Sequence, residues 1–182
     1  VPMYPYEIYT RLSDLRKLDF SAQPVQDGTV DDLDPNQIVR LRETIQNQNG
    51  DQQLLSLSDE DLEKALQLVV RVGENVYPTL TGLLLIGKES SLKRLVPTAS
   101  AVFQVMQGTK VVINESYRKP IIELVELFSE YMKAWNPEKE FEYGLFRIPI
   151  PEFSKPAFRE GLINAFSHRD YSIMGSVRVQ IN

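Results

Sequence analysis

At 182 residues with 42% hydrophobic content, the chain is long enough to bury a real core as one domain or two small ones. It has no cysteine and one histidine, which excludes disulfides and Cys-based zinc sites and leaves too few imidazoles for a His-ligated metal centre. The formal charge of −5 is uneven: residues 1–57 carry 5 Lys+Arg against 9 Asp+Glu, residues 58–135 carry 9 against 10, and the remainder is balanced, so phosphate backbones meet no overall attraction.

No stretch approaches the roughly 18 uninterrupted apolar residues of a membrane-spanning helix, and residues 1–20 hold Pro2, Pro5 and scattered charges where a signal peptide would be apolar. A cytoplasmic protein without a membrane partner is expected. Residues 1–34, with Asp27-Gly28, the acidic run Asp31-Asp32-Leu33-Asp34 and a short helical pattern around Thr10 to Lys17, read as the tail of an upstream domain plus a linker.

Asp34-Pro35 is an N-cap followed by proline at the first helical position, opening a helix to about Asn47 with Ile38, Leu41 and Ile45 on one face. The Gln/Asn-rich run from Gln46 to Gln53 ends it. Ser58-Asp59-Glu60-Asp61 resembles a capping box, and Leu62, Ala65, Leu66, Val69 and Val70 continue at helical spacing. Gly73 to Pro78 is expected as a turn, and Thr79 or Thr81 starts the short apolar segment Leu80 to Ile86, whose period does not separate a buried helix from a buried strand; helix is the favoured reading. The polar run from Lys88 to Arg94 reads as a solvated loop.

Ala101 to Met106 and Lys110 to Asn114 are expected as a hairpin turning at Gly108-Thr109. Ile121, Leu124, Val125, Phe128, Tyr131, Met132 and Trp135 form the cleanest 3.6-residue stripe in the chain. After a polar break at Asn136 to Glu140, Tyr143 to Ile150 reads as one strand, closed by Pro149 and Pro151. A helix begins near Ser154 and runs to about Asp170, and Val177, Val179 and Ile181 alternate with polar residues as a half-buried strand. The expected fold is α+β: a tail and linker over 1–34, a helical and mixed domain over 35–135, and a separate region over 136–182.

Two tempting motifs fail on physics. Gly82-Leu-Leu-Leu-Ile-Gly87-Lys88-Glu89 fits the opening of a phosphate loop, yet it holds four large apolar residues and ends in a carboxylate where a Ser or Thr hydroxyl should meet Mg²⁺. Residues 58–87 could be read as helix-turn-helix, but Leu80 to Ile86 lacks the Arg, Lys, Asn or Gln that would meet base edges.

In the last helix Phe158, Leu162, Ala165 and Phe166 supply an apolar face, while Glu160, Asn164 and His168 fall at i, i+4 and i+8 on one polar side. On spacing alone, such a stripe is what a solvated helix face looks like. A carboxylate at Glu160 could orient and deprotonate a water, and the Asn164 amide oxygen could bind Mg²⁺. His168 could bond a phosphate or carry a proton near neutral pH, although a lone histidine at a helix end reads better as a cap favoured by the helix dipole. Arg169 and Asp170 are adjacent and could form a local ion pair.

Glu160-Gly-Leu-Ile-Asn164-Ala165 resembles the E-x-x-x-N-[AS] box of the GHKL ATPases, which include gyrase, MutL and histidine kinases. The longer string from Phe158 through Ser167-His168-Arg169-Asp170-Tyr171 to Ser172 is similar to a segment of bacterial transcriptional regulators that carry an N-terminal Schlafen AlbA_2 domain, some of them labelled RecG-related. Leu18 to Val25, Asp34-Pro35 and Leu80 to Lys88 resemble the same family in the same order.

The resemblance implies an upstream Schlafen-type domain as the only route to DNA, with homo-oligomers possible, and a GHKL-like region that continues beyond Asn182. In that region ATP and Mg²⁺ are the cofactors, Glu160 is the catalytic base, Asn164 is the Mg²⁺ ligand, and Asn164 and His168 contact the nucleotide. Gyrase-like boxes place a polar or acidic residue three positions after the asparagine, where this chain has Ser167, so the resemblance implies nucleotide binding more directly than hydrolysis. The alternative implied by the same residues is a non-enzymatic interaction or dimerisation scaffold of a DNA-binding regulator.

Overall fold

The structure, a computed structural model, describes residues 19–182. The helical pattern around Thr10 to Lys17 lies outside the described residues. The fold is mixed α and β, as expected, with its strands in three small sheets among the described residues. It divides into two compact units between Pro97 and Thr98, so the boundary falls inside the expected 35–135 domain.

In the first unit, residues 19–34 are folded, which corrects the expected linker. Two 3-10 turns, Phe20–Ala22 and Val30–Asp32, are tied down by backbone bonds from Val25 N–H to Pro78 O at 2.9 Å and from Asp34 N–H to Ile86 O at 2.8 Å. The acidic run misled because one of its carboxylates is not given to water. Asp32 is buried and accepts from Thr29 N–H at 2.8 Å, Ser91 Oγ at 2.6 Å and Arg94 Nη2 at 2.6 Å. Burial pushes its carboxyl up, and these donors together outweigh that and hold it below the usual range.

Helix α1, Pro35–Asn47, starts as expected, with Asp34 accepting from Asn36 N–H and with Ile38 and Leu41 buried. Arg42 reaches from it to Leu55 O, Leu57 O and the Asp59 carboxylate, which links α1 to the short helix α2, Gln52–Leu55, and to helix α3, Asp59–Ala65. The Ser58 cap is present, accepting from Asp61 N–H at 3.2 Å.

Helix α3 ends at Ala65, and the rest of its expected length is strand β1, Val69–Val72. Gln67 at φ 54° breaks the helix, and β1 pairs antiparallel with β2, Asn75–Pro78, through a turn at Gly73, φ 63°. The spacing of Leu62, Ala65, Leu66, Val69 and Val70 suits a helix, but the β-branched cluster Val69, Val70, Val72 and Val76 favours the hairpin once a glycine supplies the turn. Likewise the Lys88 to Arg94 run is no loop: helix α5, Glu89–Leu95, buries Ser91 and Leu92.

Helix α4, Leu80–Ile86, explains the two glycines of the false phosphate loop. Thr79 is buried at its N-cap, accepts from Gly82 N–H at 2.9 Å and donates to Gln67 O at 2.7 Å. A Cβ on Gly82 would stand 2.0 Å from Leu68 O, so glycine is there for close backbone approach. With Leu80, Leu83, Leu84 and Ile86 buried, this helix offers nothing to a phosphate or a base edge.

In the second unit, β3, Ala101–Gln107, is the central strand of a three-stranded sheet. It pairs antiparallel with β4, Lys110–Tyr117, and parallel with β7, Val177–Ile181. Alternation sends Ala101, Phe103 and Val105 to one face, where helix α6, Ile121–Trp135, and helix α7, Lys155–Ser167, contribute Leu124, Phe128, Met132, Leu162 and Phe166. Phe103 meets Phe128 and Tyr131 with ring centroids 5.4 and 5.0 Å apart, and the Tyr117 and Tyr131 hydroxyls lie 2.7 Å apart. The expected strand over Tyr143 to Ile150 is instead a hairpin, β5, Glu138–Tyr143, and β6, Phe146–Pro151, turning at Gly144, φ 62°.

Candidate functional site

Helix α7 places the predicted stripe. Its apolar residues Leu162 and Phe166 are buried against the sheet, which turns Glu160 and Asn164 outward. The structure brings these two together: Asn164 Nδ2 donates to Glu160 Oε1 at 3.2 Å. The amide hydrogens go to the carboxylate, and the amide oxygen is the branch left for a cation. His168 is the C-cap, exposed, its backbone N–H donating to Asn164 O at 3.0 Å. Ser167, three positions after the asparagine, turns its hydroxyl back to Ile163 O at 2.9 Å.

Among the described residues, no group of three or more His, Cys, Asp or Glu stands close enough to hold a metal ion. A Mg²⁺ at Asn164 would therefore take its other oxygens from phosphates and water, which is how that ion is ordinarily held. Glu160 is exposed and stands one helical turn from Asn164.

The segment after the helix holds a residue whose role sequence reasoning missed. Arg169 makes no contact ion pair with Asp170. Its guanidinium donates to Thr98 O at 2.6 Å, Ser100 O at 3.1 Å and Gly175 O at 2.6 Å, clasping the 168–176 loop to the start of β3. Asp170 accepts instead from the Ser172 hydroxyl at 2.6 Å and backbone N–H at 2.8 Å, and these bonds hold its carboxyl below the usual range.

Tyr171 lies beneath Arg169, with the guanidinium 5.2 Å from its ring centroid, and its hydroxyl donates to Phe166 O at 2.9 Å. Burial pushes its phenol up to about 12. Thr98 Oγ1 donates to Tyr171 O at 2.6 Å and completes the clasp. An arginine just past a helix end, followed by a glycine, is the available signal, because five fixed donors suit the carbonyls a loop leaves unpaired.

No curated protein matches the chain. Among solved structures, the chain is similar to the DIP2311 protein from Corynebacterium diphtheriae, at 20% identity and a TM-score of 0.67 over 99% of this chain. That similarity is one of fold, and the chain spans about a third of that protein, 34% of its length. No helix among the described residues is long and apolar enough to cross a membrane. Residues 10–102 match a domain of unknown function, DUF8451, a region that takes in the first unit's helices and hairpin and stops well before helix α7. That is half of the chain, and the chain belongs to this family.

Proposed function

We propose that the second unit begins a GHKL-like ATP-binding region of a bacterial, cytoplasmic transcriptional regulator, reaching DNA through a Schlafen AlbA_2 domain upstream. The observation that carries this reading is the Glu160–Asn164 pair, hydrogen-bonded at 3.2 Å on the outward face of a helix that packs on a sheet. Asn164 would hold Mg²⁺ through its amide oxygen, and the ion would supply charge neutralisation for the phosphates. Glu160 orients the water and, where hydrolysis occurs, takes its proton. His168, at the end of the same helix, lies within two turns of the pair and extends the nucleotide-facing side.

By the same resemblance the glycine-containing segments of the pocket follow Asn182. Calorimetry with Mg-ATP on a chain carried past that residue is expected to show binding, and Asn164→Ala to weaken it about tenfold, the loss of one good polar contact. No heat of binding, or equal affinity in the variant, removes the proposal.

A second reading is a non-enzymatic scaffold that keeps helix α7 for packing. It is favoured by Arg169 and Tyr171, the most distinctive letters of the segment, whose polar groups all go to backbone carbonyls of the same unit. Under that reading Asn164→Ala changes neither nucleotide affinity nor fold.

A further inference from the structure

We infer that Asn49 is a site of spontaneous deamidation, a modification of the main chain that the end of helix α1 both creates and restrains. Asn47 is the last residue of that helix, Gln48 is its C-cap, and Asn49 follows at φ 52°. Asn49 N–H donates to Gln46 O at 3.2 Å, and Gly50 N–H donates to Ile45 O at 2.8 Å. These are the two bonds of a Schellman cap, in which the residue after the C-cap is left-handed and the next one reaches back to the third residue from the helix end.

Each position has its own requirement. Apart from glycine, the left-handed region suits asparagine and aspartate, whose short polar side chains tolerate it. The following residue lies against the helix: a Cβ on Gly50 would stand 3.1 Å from Ile45 Cγ2 and 3.2 Å from Ile45 O, so the smallest residue fits best. Meeting both requirements puts asparagine directly before glycine, and Asn49-Gly50 is the one such pair in the sequence.

In that pair no β-carbon on the second residue hinders attack of its main-chain nitrogen on Asn49 Cγ. The Gly50 amide gives its proton to water or hydroxide, the nitrogen bonds to Cγ, and the Cγ–Nδ2 bond breaks; Nδ2 takes up a proton and leaves as ammonia. Water then opens the five-membered succinimide at one of its two carbonyls. Opening at the main-chain carbonyl leaves an isoaspartyl linkage, and opening at the former side-chain carbonyl leaves an aspartyl one.

The closed cap restrains this chemistry. The Gly50 proton that must be lost is the one bonded to Ile45 O, and the same bond fixes the Asn49–Gly50 peptide plane, so the nitrogen is not free to turn toward Cγ. Reaction therefore passes through fraying of the helix end, a local opening of low free energy. The isoaspartyl product carries an extra methylene in the main chain and a carboxylate at the negative end of the helix dipole, and both weaken the cap. Beyond the cap lie α2 and α3, which Arg42 of α1 grips at Leu55 O, Leu57 O and the Asp59 carboxylate. Conversion thus loosens the α1–α2–α3 joint of the first unit, whichever reading of the Glu160–Asn164 pair holds.

Ageing of the purified 182-residue chain in mildly alkaline buffer, read by peptide mass spectrometry with electron-transfer fragmentation, is expected to show amide-to-carboxyl conversion at Asn49 ahead of every other asparagine, with aspartyl and isoaspartyl products together. The chain held unfolded in denaturant is expected to react about tenfold faster, a ratio set by opening of the cap. Asn49→Gly removes the reacting amide and keeps a residue suited to the left-handed position, so it should fold as the parent chain does and lose the age-dependent fall in unfolding midpoint that the parent shows. No product at Asn49 once the unfolded chain is fully converted, equal rates folded and unfolded, or an equal fall in midpoint on ageing Asn49→Gly overturns the inference.

Discussion

The second unit contains two antiparallel hairpins of similar length whose fates differ. The β3–β4 hairpin sets Phe103 and Val105 beneath helices α6 and α7, and these side chains are 0% and 2% exposed. The β5–β6 hairpin has three aromatic residues against two in β3–β4, and all three lie open. Both show period-2 alternation with one apolar side, so pattern alone does not distinguish them. What differs is that β3–β4 is followed by a helix with a strong apolar stripe, whereas β5–β6 is bounded by Asn136 and Phe153, where the Asn136 side-chain amide donates to Phe153 O and accepts from Phe153 N–H and so only closes its base. A strand pattern states which face must be covered, and the neighbouring sequence states whether this chain covers it.

Substitutions can break or sharpen that contrast. The largest effect is expected from Phe103→Ala, which empties the centre of the covered sheet and costs about 3–5 kcal/mol in denaturant unfolding. Phe146→Ala in the open hairpin should cost under about 0.5 kcal/mol. Equal losses at the two sites would erase the distinction.

Next comes Arg169→Ala, which removes a charged donor from three carbonyls that hold the end of α7 to β3; about 2–3 kcal/mol is expected, with partial loss on Arg169→Lys, whose single ammonium cannot reproduce the fork.

A smaller effect belongs to Tyr171. Its folded pKa of about 12 lies above the unfolded value near 10, so its contribution is fully present below pH 10 and is lost as pH rises toward 12. Tyr171→Phe should lower stability at neutral pH by about 1 kcal/mol through the lost bond to Phe166 O and should flatten the alkaline fall in the unfolding midpoint. The half-buried Tyr117 phenol, also pushed upward by desolvation and its bond to Tyr131, contributes a remaining slope in the same direction. The smallest change is a gain: Gly161→Ala, in helix α7 with nothing within 4 Å of an added Cβ, should stabilise by roughly 0.5–1 kcal/mol.

Much of the architecture was legible where a local signal and a tertiary need agreed. Asp34-Pro35 carries cap and periodicity together, Thr79 before Leu80 carries a cap, and the stripe from Ile121 to Trp135 carries periodicity; each became the expected helix. The failures have two causes: a deciding partner distant in sequence, or a nearby turn that redirects the chain. Asp32 reads as linker because Ser91 and Arg94 stand 59 and 62 residues away. Val69 and Val70 read as helix because their spacing fits until β2 claims them. The Tyr143 to Ile150 strand was split by Gly144, a turn signal hidden among aromatics.

At the candidate site, helical arithmetic sufficed to put Glu160 beside Asn164. It could not reveal Arg169 as a clasp, because its acceptors are carbonyl groups that every residue possesses and no letter marks.

The parallel pairing of β3 with β7 has a kinetic consequence. Val102 and Arg178 sit opposite each other although the chain between them contains β4, α6, the open hairpin and α7. The β3–β4 hairpin and both helices can form from neighbours, within microseconds, whereas the β7 pairing must wait for a long loop to close. The last strand to join is thus the one that follows the Glu160–Asn164 helix and the Arg169 clasp. Until it docks, the loop that Arg169 clasps to the start of β3 lacks the strand that follows it.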